Sequence, residues 1–406
     1  MSSQVLLTPT IISKESLVIL ENNLVAANRV NRKFENQFVK IGSSFTLRKP
    51  NRFQVASGAA LHIQNIAEPS VSITVTQQKQ VAFQFTSQDL TLTVEEFSER
   101  YLKPAMASMA NKIDFDVLTN TMSISNYVGT PTVTPSAFST SVQLVGRRMD
   151  DNSAPQDNRT LVMNPAGYWA LAGGQTGLFV MPTAKDALVK GYLATIGNYE
   201  IYMDQNVQPI AQVSTGATGT AHNTSVGMTV TSNSQIGSVI STVGGLISDF
   251  INVGEVFTIN GVNNINPQSR LSTGTLKNFT VTATSAASAT TNFTLSITPA
   301  IVTSGPYQNV DVGPSTAAVI TWLTGTSAAQ IPSAQNIAFT RDAFGLVMVP
   351  MEIPQGVDFA ARETYRNISL RVIRAYDINN DVFPTRIDVL YGSTVYYDEL
   401  ACRLGG

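Results

Sequence analysis

Charge is scarce in this chain. Asp, Glu, Lys and Arg make up 13% of its 406 residues, about half the usual quarter, so Ser, Thr, Asn and Gln or other subunits must cover much of the surface. The 26 basic and 28 acidic residues leave a net charge of -2, which supplies no global field for nucleic acid or an anionic membrane. Cysteine occurs once, at Cys402. An intrachain disulfide framework is thereby excluded, as expected for a protein folded in a reducing compartment. The two histidines, His62 and His222, sit in segments of different character, so neither a histidine triad nor a multi-histidine metal site is expected. No apolar run approaches the roughly 18 residues that span a bilayer. The start, Met1-Ser-Ser-Gln-Val-Leu-Leu-Thr-Pro9, lacks a basic n-region, so the chain is expected to be neither exported nor membrane-bound. Phosphate-loop, dinucleotide and nucleophile-elbow signatures are missing too.

What is present begins with length. A chain of 406 residues exceeds the roughly 250–300 at which one core stops growing, so two or three cooperative units are expected. Hydrophobic content of 43% and a mean hydropathy of +0.06 suffice to bury them. The charge shortage is concentrated between Gln212 and Gln335, where Asp249, Glu255, Arg270, Lys277 and Asp311 are the only ionic residues. Such a composition break predicts a separate β-rich domain inserted into a host. Its β-branched runs around Val230, Val256, Phe279, Phe293 and Trp322, punctuated by Gly, Asn and Pro, read as a small barrel or sandwich.

The host changes period along its length. Leu17, Leu20, Leu24 and Ala27 form an apolar stripe that predicts an amphipathic helix with Ser13 as N-cap, followed by basic Arg29, Arg32 and Lys33. Val71, Ile73 and Val75, then Val81, Phe83 and Phe85, alternate with polar residues and predict half-buried strands of a long excursion needing a neighbour to lie on. Thr93-Val-Glu-Glu96 reads as a capping box, and Leu102, Met106, Met109, Ile113 and Val117 extend a long helix over about 94–122, kinked by Pro104. A helix over 137–150, a buried strand at Arg159–Met163, a short helix opened by Pro165, a helix over 185–193 and a strand at Tyr199–Met203 follow, with late strands near 336–340, 368–375 and 385–390. This irregular order argues an α+β architecture over repeated βαβ winding.

Candidate chemistry is thin. Glu95, Glu96 and Glu99 could form an acid/base pair, but carboxylates in a first helical turn already have a dipole reason to be there. Cys402, read as lying in a tail without a CxxC partner, is a poor nucleophile. Gly173-Gly-Gln-Thr-Gly177 lacks the Lys of a phosphate loop and reads as a plain loop. Asp377-Ile-Asn-Asn-Asp381 has calcium-loop residues at positions one, three and five, but Val382 and Asp388 stand where Gly and Glu are needed; a polar hairpin turn is the better reading. Arg48, Lys49 and Arg52 among Phe45 and Phe53 could contact nucleic acid or, better suited to the net charge, acidic residues of an adjacent subunit. Matches to the N-glycosylation pattern, such as Asn158 and Asn278, are what a Ser/Thr/Asn-rich chain yields by chance.

The order of these elements resembles the tailed-phage major capsid proteins of the Hong Kong 97-like fold, in the subgroup of Salmonella-phage-type coat proteins with an inserted β-barrel. The resemblance is carried by Phe97-Ser-Glu-Arg-Tyr-Leu-Lys-Pro104, Gly254-Glu-Val-Phe-Thr-Ile-Asn-Gly-Val262 with Asn266-Pro-Gln268, Asn336-Ile-Ala-Phe339 with Asp342-Ala-Phe344, and Thr385-Arg-Ile-Asp-Val-Leu-Tyr-Gly392. It implies an N-terminal arm over 1–39, an extended loop over 40–90, a peripheral domain with a spine helix over 91–135, an axial domain from 136–211 with 336–406, and an inserted β-barrel over 212–335. It also implies a non-enzymatic protein without cofactor or metal, a component of the virion assembled in the host cytoplasm. The implied partners are other copies of itself as hexamers and pentamers, a scaffolding protein, a portal, decoration proteins and, weakly, packaged double-stranded DNA, with no membrane. No Lys and Asn pairing with a catalytic Glu is evident, so noncovalent assembly is expected. On that footing Arg48, Lys49 and Arg52 are expected to meet Glu95, Glu96 or Glu99 of the next subunit. Two other classes stay open on the residues alone: a β-rich surface adhesin or fibre, and a hydrolase with a carbohydrate-binding module.

Overall fold

The structure is a computed structural model; it describes residues 9–33, 44–53, 55, 58–59, 61, 63, 68–86, 98–131, 133–174, 193, 195–210, 227–244, 250–286, 292–324, 333–357 and 359–406. The chain divides into two compact units, one formed by 1–49, 70–117 and 344–394, the other by 50–69, 118–343 and 395–406.

In the first unit, helix Pro9–Asn23 opens with a proline at its first position, where the missing N–H costs nothing. Ser13, expected as the cap, lies inside this helix and donates its hydroxyl to the Thr10 carbonyl at 3.0 Å. Leu17, Leu20, Leu24 and Ala27 are all buried as expected, but the helix ends at Asn23, so Leu24 and Ala27 lie beyond it rather than on its face. After the helix, Asp114 accepts the backbone N–H groups of Val25 at 2.7 Å and Ala27 at 2.8 Å, fixing the chain where it leaves the helix.

The long helix is Lys103–Thr119, preceded by a π-helical turn at Ser98–Leu102 and followed by a 3-10 turn at Asn120–Ser123. Pro104 thus stands near the start of the α-helical part, and the irregularity it demands takes the form of the wider turn before it. Leu102, Met106, Met109, Ile113 and Val117 are all buried. The expected capping box falls outside the described residues.

Beside these helices lies a five-stranded antiparallel sheet in which Phe344–Met348, Val382–Val395, Ile368–Arg374 and Phe359–Tyr365 are neighbours in that order, with Gln77–Thr86 also paired to Val382–Val395. Strands Ser44–Arg48 and Ser70–Thr74 form a separate antiparallel ladder, Phe45 opposite Ile73. The strands Phe344–Met348 and Phe359–Tyr365 have no counterpart in the sequence reading, because Gly345 and the charged Arg362 and Glu363 break the expected alternation.

The second unit contains a seven-stranded sheet in the order Tyr127–Gly129, Ala401–Gly405, Ser333–Thr340, Arg159–Met163, Tyr199–Met203 and Thr195–Ile196, with Pro209–Ile210 also paired to Ser333–Thr340. Arg159–Met163 and Tyr199–Met203 are strands, as expected, and the structure pairs them in parallel. Helices Val142–Asp151 and Pro165–Gly174 contribute Val145, Met149 and Leu171 to its core. Cys402 lies in a buried strand of this sheet, opposite Ala338, which corrects its reading as part of a tail. The helix expected over 185–193 lies largely outside the described residues.

Within the same unit Val256–Ile265, Ser272–Val281, Asn292–Ile301, Gly237–Val243, Thr229–Val230 and Ile320–Trp322 form a six-stranded sheet. It nearly closes on itself: the Val230 N–H donates to the Ala318 carbonyl at 3.0 Å, and the Ile320 N–H to the Met228 carbonyl at 2.8 Å. Phe257, Phe279, Phe293 and Trp322 fill a core of its own. The host strand leaving this region and the one entering it pair directly, Ile210 with Ser333 and Pro209 with Ala334. Entry and exit therefore lie side by side, which lets an insert sit in a host sheet without parting its strands.

Candidate functional site

The second unit concentrates its buried charge where the near-closed barrel meets the seven-stranded sheet. Arg403, on Ala401–Gly405, is fully buried; it donates to the Gly254 carbonyl at 2.9 Å and to the Thr280 hydroxyl at 3.2 Å. Burial lowers its pKa to about 10. Arg148, at the end of Val142–Asp151, reaches the Thr275 hydroxyl and the Leu276 carbonyl, each at 3.1 Å. Asn278 donates to the Tyr127 carbonyl at 2.9 Å and Thr280 to the Ile124 carbonyl at 3.1 Å.

A chain of amides runs through the middle of this seam. The buried Lys277 ammonium donates to Asn264 Oδ1 at 3.0 Å, Asn264 donates to Asn152 Oδ1 at 3.1 Å, Asn152 to Asn126 Oδ1 at 3.1 Å, and Asn126 to the Ala401 carbonyl at 3.0 Å. Burial lowers the Lys277 pKa. Each partner is a neutral dipole, so the seam is directional and geometrically exacting rather than a set of ion pairs. Glu255 sits at the barrel's first long strand with Oε1 accepting the Asn252 N–H at 3.3 Å; burial pushes its pKa up to about 7. Cys402 is equally enclosed, its thiol raised to about 12 by burial, which removes the thiolate a nucleophile needs.

Sequence reading found none of these seam residues as a group. Lys277 and Arg403 offered the only signal, each a cation inside a strand-like run, and nothing local distinguishes that from a surface position.

The basic residues singled out from sequence fall apart. Arg48 ends the strand Ser44–Arg48 and is exposed, and Lys49 is half-buried. Arg52 forms a two-pronged ion pair with Glu399 of its own chain, with Nη1 to Oε1 at 3.3 Å, and its guanidinium lies 5.8 Å from the Tyr307 ring centroid. Of the acidic set, Glu95 and Glu96 lie outside the described residues and Glu99 falls in the π-helical turn. Asp377 supports the polar-turn reading: it accepts the Asn379 N–H at 3.0 Å and an Asn380 side-chain N–H at 2.7 Å. Asp388, the twelfth position of the would-be calcium loop, is buried between Arg371 at 2.7 Å and Arg386 at 2.5 Å. Among the described residues no group of three or more His, Cys, Asp or Glu could hold a metal ion, and no helix is long and apolar enough to cross a membrane.

A family model described as P22 coat protein, gene protein 5, matches residues 1–402. No curated protein sequence matches the chain. Among solved structures, Mycobacterium phage Che8 aligns with a TM-score of 0.51 at 11% identity, over 94% of this chain and 90% of that one. The capsid of Ralstonia phage GP4 aligns with a TM-score of 0.46 at 9% identity, over 92% and 85%. The CUS-3 coat protein I-domain is 28% identical over 24% of this chain and 95% of its own, with a TM-score of 0.19. The mixture of helix and sheet with a near-closed β-barrel is that of the Hong Kong 97-like capsid fold, and the chain belongs to the P22 coat protein family.

Proposed function

We propose that this chain is the major capsid protein of a tailed phage, self-assembling as hexamers and pentamers into the icosahedral head shell that encloses the genome. The observation that carries the reading is the family match over residues 1–402, which leaves almost none of the chain for another activity. A closed shell is built from many repeated contacts of modest strength, which suits a polar, charge-poor surface. In this reading 40–90 is the loop that lies over a neighbour, 91–135 the peripheral spine, 136–211 with 336–406 the axial domain around capsomer centres, and 212–335 an inserted barrel. The hydrogen-bonded seam supports a bracing role for that barrel within its own subunit. A scaffolding protein, a portal and decoration proteins are the proposed partners, with packaged double-stranded DNA touched weakly and without sequence preference. The mature location is the virion, after assembly in the host cytoplasm.

Electron microscopy and sedimentation of the purified chain, alone and with a scaffolding protein, test this directly. Closed or spiral shells are the expected result. A chain that stays monomeric and binds or hydrolyses glycans would overturn it in favour of an adhesin or a hydrolase.

A further inference from the structure

In the first unit a cavity of about 400 Å³ opens beside the hairpin joining Ile368–Arg374 to Val382–Val395, with Phe359, Arg374, Tyr376 and Phe383 among its walls. Arg374 and Phe359 face each other across the antiparallel ladder. The guanidinium carbon of Arg374 lies 5.3 Å from the Phe359 ring centroid and 4.7 Å from that of Phe383, and the Phe383 ring is 4.9 Å from Tyr376. Both neighbouring arginines of the same sheet, Arg371 and Arg386, hold the Asp388 carboxylate. Arg374 makes no hydrogen bond or ion pair among the described residues. Its partial burial lowers its pKa.

A half-desolvated guanidinium fixed over two ring faces still has its N–H donors to offer, in the fork geometry that matches a carboxylate. We propose that this cavity receives one Asp or Glu side chain from a second copy of the chain, with Arg374 as the receiving cation and the rings of Phe359, Tyr376 and Phe383 excluding water around the pair. The proposal rests on the shell-forming reading above. Two observations favour a protein carboxylate over nucleic acid. Among the described residues, the cavity's single cation stands beside a turn carrying Asp377 and Asp381, the latter accepting the Tyr376 hydroxyl at 3.0 Å, whereas phosphate backbones are bound by runs of cations. Ile378, at the tip of the same turn, is 80% exposed, an apolar surface that a protein neighbour would cover.

Arg374→Met keeps the apolar stem over the rings and removes the charge. The expected result is a critical concentration for shell assembly raised at least about tenfold, since truncating one partner of a desolvated charge pair costs that much or more, while the melting temperature of the unassembled subunit stays unchanged. In assembled shells, p-benzoylphenylalanine in place of Tyr376 is expected to cross-link to an Asp- or Glu-containing peptide of a second copy. Arg374→Glu combined with reversal of that acid should then restore assembly. Variant shells indistinguishable from the parent would overturn the proposal, as would cross-linking confined to residues 356–359 of the same chain. The proposal also falls if Asp358→Asn lowers the subunit's own melting temperature and leaves Arg374→Met without further effect, for Asp358 would then be the intrachain partner. A parent chain that forms no shells defeats the broader reading instead; the cross-link, made in the soluble chain, then decides this one.

Discussion

Tyr391 donates its hydroxyl to Asp116 at 2.6 Å. Asp116, on the long helix, also holds Lys112 at 2.8 Å and Lys79, from the strand Gln77–Thr86, at 3.3 Å. One carboxylate thus ties the helix to two strands of the sheet beside it. Burial works to raise its pKa, but the hydrogen bonds from Lys112, Tyr391 and Lys79 outweigh it and hold Asp116 below its ordinary value.

Tyr391→Phe is accordingly expected to lower subunit stability by about 1.5–3 kcal/mol, the usual range for a hydrogen bond to a charged group. Asp116→Asn should cost a comparable amount at neutral pH. Because the folded pKa lies below the unfolded one, the contribution is present above the unfolded value of about 3.9 and is lost as the pH falls through the folded value. The gap between parent and Asp116→Asn in urea unfolding should be constant from pH 7 to about 5 and close below about 4. A gap that widened in acid would refute the assignment.

Glu255 should give the opposite pH signature. Its pKa is raised by burial to about 7, so between the unfolded value of about 4.3 and 7 the folded chain binds more protons than the unfolded one, and stability falls as pH rises through that interval. Glu255→Gln removes the charge and keeps an oxygen for the Asn252 N–H. The variant is expected to match the parent near pH 4 and to exceed it by a few kcal/mol above pH 7. Thermal melts at pH 4, 6 and 8 read this out, and equal melting temperatures at pH 8 would place the carboxylate in water.

Lys277 makes a third case. Its ammonium is buried with Asn264 as acceptor at 3.0 Å, and burial depresses its pKa, so the protonated form carries a folding cost that is relieved as pH rises through the depressed value toward about 10.4. Replacing a buried charge by an apolar side chain of similar volume is often neutral or stabilising by about 1–4 kcal/mol. Lys277→Met is expected to be at least as stable as the parent at pH 7, with the advantage shrinking toward pH 10. Asn264→Ala, which strips the lysine of its acceptor and breaks the amide chain to Asn152, should be clearly destabilising. If both variants destabilise equally, the ladder acts through packing alone.

These buried polar groups also explain where the sequence is legible. Arg159–Met163 can be seen because Leu161, Val162 and Met163 form a short apolar run in a strand buried on both faces, and Leu102 to Val117 because their spacing follows one helical face. Ala401–Gly405 cannot. Its Arg403 looks like a surface residue until Gly254 and Thr280 come to it from 149 and 123 residues away. The strand Gly237–Val243 has Val239 exposed and Ile240 buried, but its serines hide the alternation. Ser13 reads as a cap because capping residues and buried serines look alike without the preceding turn in view. The site has the same limitation: the seam is an arrangement of Asn, Arg and Lys side chains whose meaning lies in long-range pairing, and single-sequence periodicity does not carry such pairs.

The loop cations offer the last test. Arg52 already has a carboxylate in its own chain, Glu399, with Tyr307 beside it, while Arg48 and Lys49 are proposed to reach Glu95, Glu96 or Glu99 of the next subunit. An exposed pair contributes only about 0–1 kcal/mol, yet repetition around a shell lets it set register and angle. Arg52→Glu should weaken the subunit itself and be rescued by Glu399→Arg. Arg48→Glu with Lys49→Glu should impair assembly, with rescue by reversal at Glu95, Glu96 or Glu99. Light scattering of assembly across this set of single and double reversals separates the two kinds of contact. Absence of rescue by every reversal at Glu95, Glu96 and Glu99 sinks the inter-subunit pairing, and rescue of Arg52→Glu by one of them would show that Arg52 exchanges its partner on assembly.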